Sequence, residues 1–309
     1  MQTILGLHHI TAMAADPRAN LDFYTRVLGL RLVKKTVNFD DPSTYHFYFA
    51  NHAGAPGTVL TFFPWPDLPK GRPGTGQVFA TAFSVPPGAL AFWRGRLGQL
   101  GVALADQPER FGEKVAALTD PDGLILELIE SAADRRPAIP HPDIPATAAI
   151  RGFHSATLAV SREAATLALL TGIMQHRVVQ RAGGRTRLAA GDETPGAFLD
   201  LLVDPSLPAG RPGSGTVHHL AFRTPDDAAE VALQGSLAAA GHRVSPVMDR
   251  SYFHSIYYRE PEGILFEIAT DPPGFTTDET LEQLGSGLRL PPKYEARRAD
   301  IETALPQLD

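Results

Sequence analysis

Gly6-Leu-His-His-Ile-Thr11, near the start of the chain, is answered far downstream by Thr216-Val-His-His-Leu-Ala221, and a third run, Gly263-Ile-Leu-Phe-Glu267, ends on a carboxylate. All three are apolar, strand-like stretches that carry ligand-type side chains. Two imidazoles and one carboxylate make a facial triad, which grips a non-heme Fe(II) or Mn(II) and leaves half of an octahedron open. The first expectation is a metal-dependent enzyme. A doubled histidine that recurs in a similar frame is also the sign of an internal repeat, and that repeat decides the fold.

Working outward, four segments have the pattern of strands that open a unit: Leu5 to Met13, Gln77 to Val85, Gly152 to Val160 and Thr216 to Thr224. A helix signal follows each. Asp16-Pro17, Pro86-Pro87, Ser161 and Thr224-Pro225 put a capping side chain or a first-turn proline ahead of stripes such as Leu90, Trp93, Leu97 and Leu100. Gly29, Gly101, Gly172 and Gly241 end these helices or lie just beyond them. Each unit closes on a strand that begins at glycine: Gly57 to Thr61, Gly123 to Glu127, Gly196 to Asp200 and Gly263 to Glu267. The unit is βαβββ, four times over, so the fold class is α+β. Equivalent opening positions 9, 81, 155 and 219 lie 72, 74 and 64 residues apart, and the closing glycines are separated by 66, 73 and 67.

Between units two and three, Ser131 to Ile150 holds four prolines and no periodicity, which has the pattern of an extended linker. The expected division is a pair of units over residues 1–140, a second pair over 148–270, and a tail over 271–309 in which the polar stretch Pro291 to Leu308 has helical spacing.

A length of 309 residues suffices for two domains with full cores, and 43% apolar with 20% charged residues is ordinary for a globular chain. The net charge of -6 contains no basic stripe, which argues against nucleic acid and anionic membranes and for a small-molecule partner. There is no cysteine, so thiolate ligands, thiol nucleophiles and disulfides are excluded. The N-terminus carries no secretory pattern and no window is apolar enough to span a bilayer, so the expected location is the cytoplasm. The sequence is compatible with a homo-oligomer.

With these motifs in view, the chain resembles the vicinal oxygen chelate superfamily, whose paired βαβββ units curl into open barrels around a metal. Within it, Leu7-His-His-Ile-Thr11, Lys70-Gly-Arg-Pro-Gly74, Arg151-Gly-Phe-His-Ser155 and the stretch from Asp249-Arg-Ser-Tyr-Phe253 to Glu260-Pro-Glu-Gly263 are similar to the hydroquinone ring-cleaving dioxygenases. The catechol-cleaving branch usually takes its first histidine from the third unit. In such an architecture each unit offers one opening-strand and one closing-strand position. Units one and four then offer His9, Thr61, His219 and Glu267, whereas units two and three offer Thr81, Glu127, Ser155 and Asp200. Only the first quartet holds a transition metal firmly, since the second has no imidazole and two carboxylates that repel one another. Unit one is therefore expected to pair with unit four around the metal, and two with three in a metal-free barrel.

Neighbouring strand residues point to opposite faces, so only one histidine of each pair enters a barrel from a regular strand. The repeat selects His9, His219 and Glu267 as ligands and leaves His8 and His218 beside them, where a bulge could still bring them to the pocket. The resemblance adds Thr11, Arg250 and Tyr257 to this outer set. An imaginable division of labour has an imidazole taking a phenolic proton, Arg250 stabilising the anion and Tyr257 donating to developing oxygen charge. His154 matches His8 and His218 and is expected to be structural; Glu127 is expected to face water or a salt bridge. Isolated strand histidines are ordinarily hydrogen-bonded structural residues, the reading for His46, His52, His141, His176 and His242. Phe47, Phe49, Phe62, Phe222, Tyr252 and Phe266 lie near the relevant strands, with their facing open. The proline- and glycine-rich run from Phe63 to Gly76 is expected to edge the pocket or brace the two halves.

The activity implied is Fe(II)-dependent ring cleavage of a hydroquinone-type diol, with both atoms of O2 inserted and Mn(II) as the other candidate metal. Alternatives are a catechol-type extradiol dioxygenase, or a glyoxalase-like isomerase with a Lewis-acid metal. The latter chemistry generally uses a fourth protein ligand, and Thr61 stands at that position. A ligand-sequestering resistance-type module is disfavoured, because those chains hold a single pair of units.

Overall fold

A computed structural model describes residues 3–308, and the repeat governs its architecture. Unit one comprises β1 (Gly6–Ala14), α1 (Pro17–Asp22, continued by a π-helical turn, Phe23–Val27), β2 (Arg31–Val37), β3 (Tyr45–Ala50) and β4 (Val59–Pro64). Unit two comprises β5 (Gln77–Val85), α2 (Ala89–Gln99), β6 (Ala105–Arg110), β7 (Glu113–Thr119) and β8 (Ile125–Glu130). Unit three comprises β9 (Gly152–Ala159), α3 (Glu163–Thr171), β10 (Arg177–Ala182), β11 (Arg185–Ala189) and β12 (Phe198–Leu202). Unit four comprises β13 (Thr216–Thr224), α4 (Asp227–Ala239), β14 (Met248–Asp249), β15 (Phe253–Arg259) and β16 (Leu265–Pro273).

Local chemistry accounts for these boundaries. The Asp16 carboxylate accepts from the Arg18 and Ala19 amides ahead of Pro17, and Asp226 accepts from Ala229, so both side chains satisfy amides that a helix start leaves free. Ser161 behaves otherwise: its amide and hydroxyl donate to Glu262, and α3 begins after Arg162. Gly57, Gly123, Gly196 and Gly263 sit at φ of +81°, +95°, +94° and +93°, a turn that admits a side chain only with strain, and each closing strand starts two residues later.

One eight-stranded sheet runs β14-β15-β16-β13-β1-β4-β3-β2 and the other β10-β11-β12-β9-β5-β8-β7-β6. Unit one thus pairs with four through antiparallel β1 and β13, and unit two with three through β5 and β9. The first sheet joins the two ends of the sequence, and the second joins its two middle units. Alternation along the strands sorts the side chains: Phe47 and Phe49 of β3, with Phe62, Phe222 and Phe266, enter the apolar core beneath the helices, while His46, Tyr48 and Thr61 turn to the concave face. Burying each such phenylalanine contributes roughly 1.5–3 kcal/mol.

The run after β4 does both jobs expected of it. Phe63 and Trp65 edge the cavity described below, and Gly71, Arg72 and Thr75 pair through their backbones with Ser214, Arg211 and Pro208. That second loop repeats the Gly-Arg-Pro-Gly sequence at 210–213. The approach is close enough that a Cβ on Gly74 would lie 2.1 Å from the Pro208 carbonyl oxygen.

Ser131 to Ile150 is a packed strap rather than a free linker. Ile139, Ile144 and Ile150 are buried, Trp93 Nε1 donates to the Ala148 carbonyl at 2.8 Å, and Arg136 donates to the Gly57 and Phe153 carbonyls. The tail closes over unit one. Fully buried Lys34 meets Asp278 and Glu279, and Lys293 Nζ and Tyr294 OH both donate to the Phe39 carbonyl at 2.9 Å. Beyond them α5 (Arg298–Ala304) carries the helical spacing seen in the sequence. Among the described residues no helix is long and apolar enough to cross a membrane.

Candidate metal centre and its pocket

Bulges set the centre. Along β1 and β13 the ladder passes from Leu7↔Phe222 to His9↔Ala221, and from Thr11↔His219 to Ala12↔Val217, so His8 and His218 are each an extra residue on their strand. An inserted residue bends and twists its strand, which turns the following histidine inward. His9 Nε2 and His219 Nε2 meet at 3.3 Å. Glu267, from β16 beside β13, brings Oε2 to 2.9 Å from His219 Nε2 and 3.2 Å from His9 Nε2. All three side chains are buried, with their ligand atoms within 4.8 Å of one another.

The second sheet repeats the device, with Phe79 and His154 as its extra residues. Its ladder, Ala80↔Thr157 and Ala82↔Ser155, makes Ala80 the counterpart of His9, so the equivalence of Thr81 drawn from spacing is off by one. β5 has no histidine at either position to anchor a count along the sequence. The closing positions agree with the repeat: Thr61, Glu127, Asp200 and Glu267 lie opposite Thr11, Ala82, Thr157 and Ala221. In this sheet guanidinium groups occupy the centre. Arg187 holds Asp200 through two nitrogens at 2.8 and 3.1 Å and reaches Glu113 at 2.6 Å; Glu113 also takes His154, and Arg110 pairs with Glu127. Arg187 hydrogen-bonds Asp200 and Glu113, Arg110 and Glu127 form an ion pair without hydrogen-bond alignment, and among the described residues the ligand cluster of His9, His219 and Glu267 has no counterpart here.

Protonation follows from the contacts around the triad. Burial, then the neighbouring His9, pushes His8 down to about 3, so its ring is neutral. The Thr270 backbone works weakly the other way, to raise it. His8 Nδ1 lies 2.8 Å from His9 Nδ1; when His9 donates across that contact, its Nε2 lone pair faces inward. His218 Nδ1 stands in the same 2.8 Å relation to His219 Nδ1. Burial works to raise Glu267, yet the facing His9 and His219 rings hold its carboxyl well below the usual range. Its Oε2 is buried and makes no well-aligned hydrogen bond, although both Nε2 atoms are within reach. Two imidazole nitrogens and an orphaned carboxylate oxygen converging in a buried space fit a divalent cation.

Beside the triad lies a cavity of about 430 Å³. Phe39, Tyr48, Phe63, Trp65 and Phe253 give it an aromatic wall, and His46, His218, Arg250 and Tyr257 supply polar edges. None of Phe47, Phe49, Phe62, Phe222, Tyr252 or Phe266 is among its walls; Tyr252 stacks instead on Phe275. Tyr257 OH donates to Glu267 Oε1 at 3.0 Å and accepts from Arg250 Nε at 3.2 Å and Ser255 Oγ at 3.1 Å. Burial, then the Glu267 charge, keeps that phenol protonated. Arg250 reaches across the cavity mouth to Asp40 at 3.3 Å. His218 is open to solvent, whereas His8 is buried and takes no part in the cavity wall. Thr11 is fully buried on the same strand face as His9.

His46 is the residue that sequence reasoning undervalued. It is indeed hydrogen-bonded through both nitrogens, yet it also lines the cavity. The available signal was strand parity: His46 and Tyr48 alternate with Phe47 and Phe49, and one of those faces must be concave.

Comparison with known proteins gives the family. The glyoxalase/bleomycin resistance protein/dioxygenase superfamily pattern matches residues 6–128. MhqO of Bacillus subtilis, provisionally named a ring-cleaving dioxygenase, is 47% identical over 97% of this chain and 96% of its own. The chlorohydroquinone/hydroquinone 1,2-dioxygenase of Sphingobium indicum is 34% identical over 97% of this chain and 95% of its own. A crystal structure from Bacillus subtilis, provisionally named a dioxygenase, superposes with a TM-score of 0.95 at 45% identity, covering 100% of this chain and 99% of that one. Glyoxalase I of Zea mays shares the fold at a TM-score of 0.65 and 15% identity, over 86% of this chain and 92% of that one. The chain therefore belongs to the glyoxalase/bleomycin resistance protein/dioxygenase superfamily.

Proposed function

We propose that the protein is an Fe(II)-dependent ring-cleaving dioxygenase that acts on hydroquinone-type aromatic diols, with Mn(II) as the alternative metal. The observation that carries this reading is a cluster of three candidate ligands with no fourth among the described residues. Thr61 stands where a fourth ligand would come from, and its hydroxyl is already engaged by His46 and Thr11. A metal held by His9, His219 and Glu267 keeps open positions, and an iron there would supply the redox chemistry that joins an aromatic diol to dioxygen. The aromatic walls and the volume of about 430 Å³ suit a single substituted ring. The name of the Sphingobium indicum relative supports the hydroquinone class.

The chain's own residues divide the remaining work. A hydroquinone offers one oxygen where a catechol offers two, so recognition depends on groups around the ring. His219, with Nε2 given to the metal, carries its proton on Nδ1 and must donate to His218 Nδ1, 2.8 Å away. His218 is then left with an Nε2 proton and serves as a hydrogen-bond donor to a substrate oxygen, not as a base. Arg250 places a second positive donor on the same cavity. His8, through the 2.8 Å contact between the two Nδ1 atoms, orients His9. Tyr257 steadies Glu267, and Thr11 lies behind the ligands.

The test is anaerobic reconstitution with Fe(II), then oxygen uptake with substituted hydroquinones, matching catechols and the methylglyoxal–glutathione adduct. The expected result is uptake with a higher kcat/KM for hydroquinones. A preference for catechols would move the protein to the catechol-cleaving branch, and turnover of the adduct without oxygen would make it an isomerase.

A further inference from the structure

The second barrel keeps the mouth of the first without its metal ligands. In the first, the cavity beside the triad is bounded by the connections that lead into β3 and β15, which bring Phe39 from one side and Arg250 from the other. The equivalent connections of units two and three, from β6 to β7 and from β10 to β11, bound a cavity of about 310 Å³ and bring Phe111 and Arg185 to it. Glu109, Arg110, Glu127 and Gly183 share its wall. That volume lies at the lower end of the range in which small ligands bind.

Both hairpins close with two-residue turns in which each residue has a positive φ: Phe111 and Gly112 at +53° and +79°, Gly183 and Gly184 at +55° and +73°. Such turns favour Asn, Asp or Gly at the first position, and Gly183 conforms. Phe111 does not. Its strained backbone holds the ring at the cavity, with the Arg187 guanidinium carbon 4.3 Å from the ring centroid. Backbone strain of this kind concentrates at sites that bind or react. The charges in the wall are also unevenly matched. Arg110 pairs with Glu127 at 2.6 Å, and Glu109 is exposed. Half-buried Arg185 forms no ion pair among the described residues and gives one hydrogen bond, from Nη1 to Thr157 Oγ1 at 3.2 Å. Burial, and then the like charge of Arg110, work to lower its pKa, and Glu127 and Asp200 offset this only in part. A guanidinium drawn out of water with most of its donors lacking a protein acceptor favours an incoming anion.

We propose that the second barrel carries a binding site for a small monocarboxylate with a flat apolar body, whose carboxylate is taken by the Arg185 guanidinium while the body lies against Phe111. The planar fork of a guanidinium matches a carboxylate, and an aromatic ring offers a flat surface to an apolar body. Glu109 and Glu127 on the same cavity weigh against a doubly charged phosphate, which they would repel more strongly than a monoanion. The proposal needs neither a metal nor the ring-cleavage reading. It accounts for a strained aromatic residue and an arginine without an ion pair at the mouth of a barrel in which the ligand cluster of the first has no counterpart among the described residues.

The experiment is calorimetric titration of the full-length chain with benzoate, with benzyl alcohol and inorganic phosphate as comparisons. Every protein carries Arg250→Gln, which removes the guanidinium of the first cavity, so that carboxylate binding reports on the second. Benzoate is expected to bind this parent at one site and more tightly than either comparison. Adding Arg185→Gln is expected to weaken benzoate about tenfold or more, the order expected for losing a charge-assisted hydrogen bond. Adding Phe111→Asn instead, which suits the turn, is expected to weaken benzoate about threefold or more through loss of the ring, while the urea midpoint stays at or above that of the parent. A weaker affinity in a protein of undiminished stability is not a folding defect. Benzoate that gives no heat of binding, or phosphate or benzyl alcohol that binds as tightly as benzoate, overturns the proposal. So does an Arg185→Gln or a Phe111→Asn protein that binds benzoate within about twofold of the parent.

Discussion

Replacing Tyr257 with phenylalanine removes one oxygen atom from the edge of the metal centre and leaves the ring. The lost contact is the 3.0 Å hydrogen bond from the phenol to Glu267 Oε1, made in a buried setting where no other donor reaches that oxygen except through rearrangement. A hydrogen bond to a charged group is worth about 1.5–3 kcal/mol net. At about 1.4 kcal/mol per factor of ten, that is roughly a 10- to 150-fold weaker hold on a divalent metal if the bond serves chiefly to orient the ligand carboxylate. Losses of about 10- to 100-fold are usual when a group that orients a metal ligand is removed, so the two routes agree. Arg250 keeps its stacking over the ring, 5.2 Å from guanidinium carbon to centroid, and loses only the acceptor for its Nε. The assay is anaerobic competition for Fe(II) against a chelator of known affinity, on wild type and variant side by side. A dissociation constant within about twofold of wild type would refute the reasoning, since it would mean that Glu267 is oriented by its strand and the two imidazoles alone.

His9→Ala, His219→Ala and Glu267→Ala are expected to lose metal and activity together, whereas His218→Ala and Arg250→Ala keep metal and lose turnover; equal metal loss across all five, by elemental analysis, would show the division between ligands and neighbours to be mistaken. His176, buried against Phe222, is pushed down to about 4 by burial, while an unfolded histidine titrates near 6.5, so the unfolded state takes a proton that the folded state refuses as pH falls through that window. Stability present at pH 7 is therefore lost on acidification, and between pH 7 and pH 5 the urea-derived unfolding free energy of the wild type should fall by about 2 kcal/mol more than that of His176→Gln. Lys34→Met strands the fully buried Glu279, and with Arg289 still 3.4 Å away the expected destabilisation is about 3 kcal/mol at neutral pH, read from the urea midpoint; no change would mean that the pair contributes only register to the tail.

The repeat was legible because its marks are local. A glycine at positive φ before each closing strand and a capping aspartate before α1 are written in single residues, and so is the difference between a quartet with two histidines and one without; the cap of α4 is Asp226, two residues beyond the Thr224 of the expected start signal. Pairing of unit one with four followed from ligand chemistry, not from proximity in sequence, and the sheet order agrees. What spacing could not carry was the exact register of β5. The bulge at Phe79 matches the one at His8, so the counterpart of His9 is Ala80, and β5 has no histidine beside Ala80 or Thr81 to anchor the count. The strap over 131–150 was illegible for a different reason: Ile139, Ile144 and Ile150 are buried by irregular backbone, which has no period to detect. His46 was illegible because its meaning depends on which face of β3 is concave, a property of the closed sheet and not of the strand.

Duplication explains why this barrel has one centre and why the centre is lopsided. Two equivalent units would offer two carboxylates, two tyrosines and a ligand field closed on both sides. Here the opening strands keep their equivalence, giving His9 and His219 with matching neighbours at 2.8 Å, while the closing strands diverge into Glu267 and Thr61. The divergence is consistent through the layer behind them. Tyr257 supports a charge directly, with Arg250 at its hydroxyl, whereas Tyr48 works through His46 on a neutral hydroxyl. One side of the barrel thus presents a carboxylate and the other a neutral hydroxyl, each backed by a tyrosine. In the second sheet the same positions took a different course, with Arg187 and Arg110 supplying a permanent positive charge beside Asp200 and Glu127. A covalently attached cation neutralises Asp200 and Glu127 without offering a vacant coordination position.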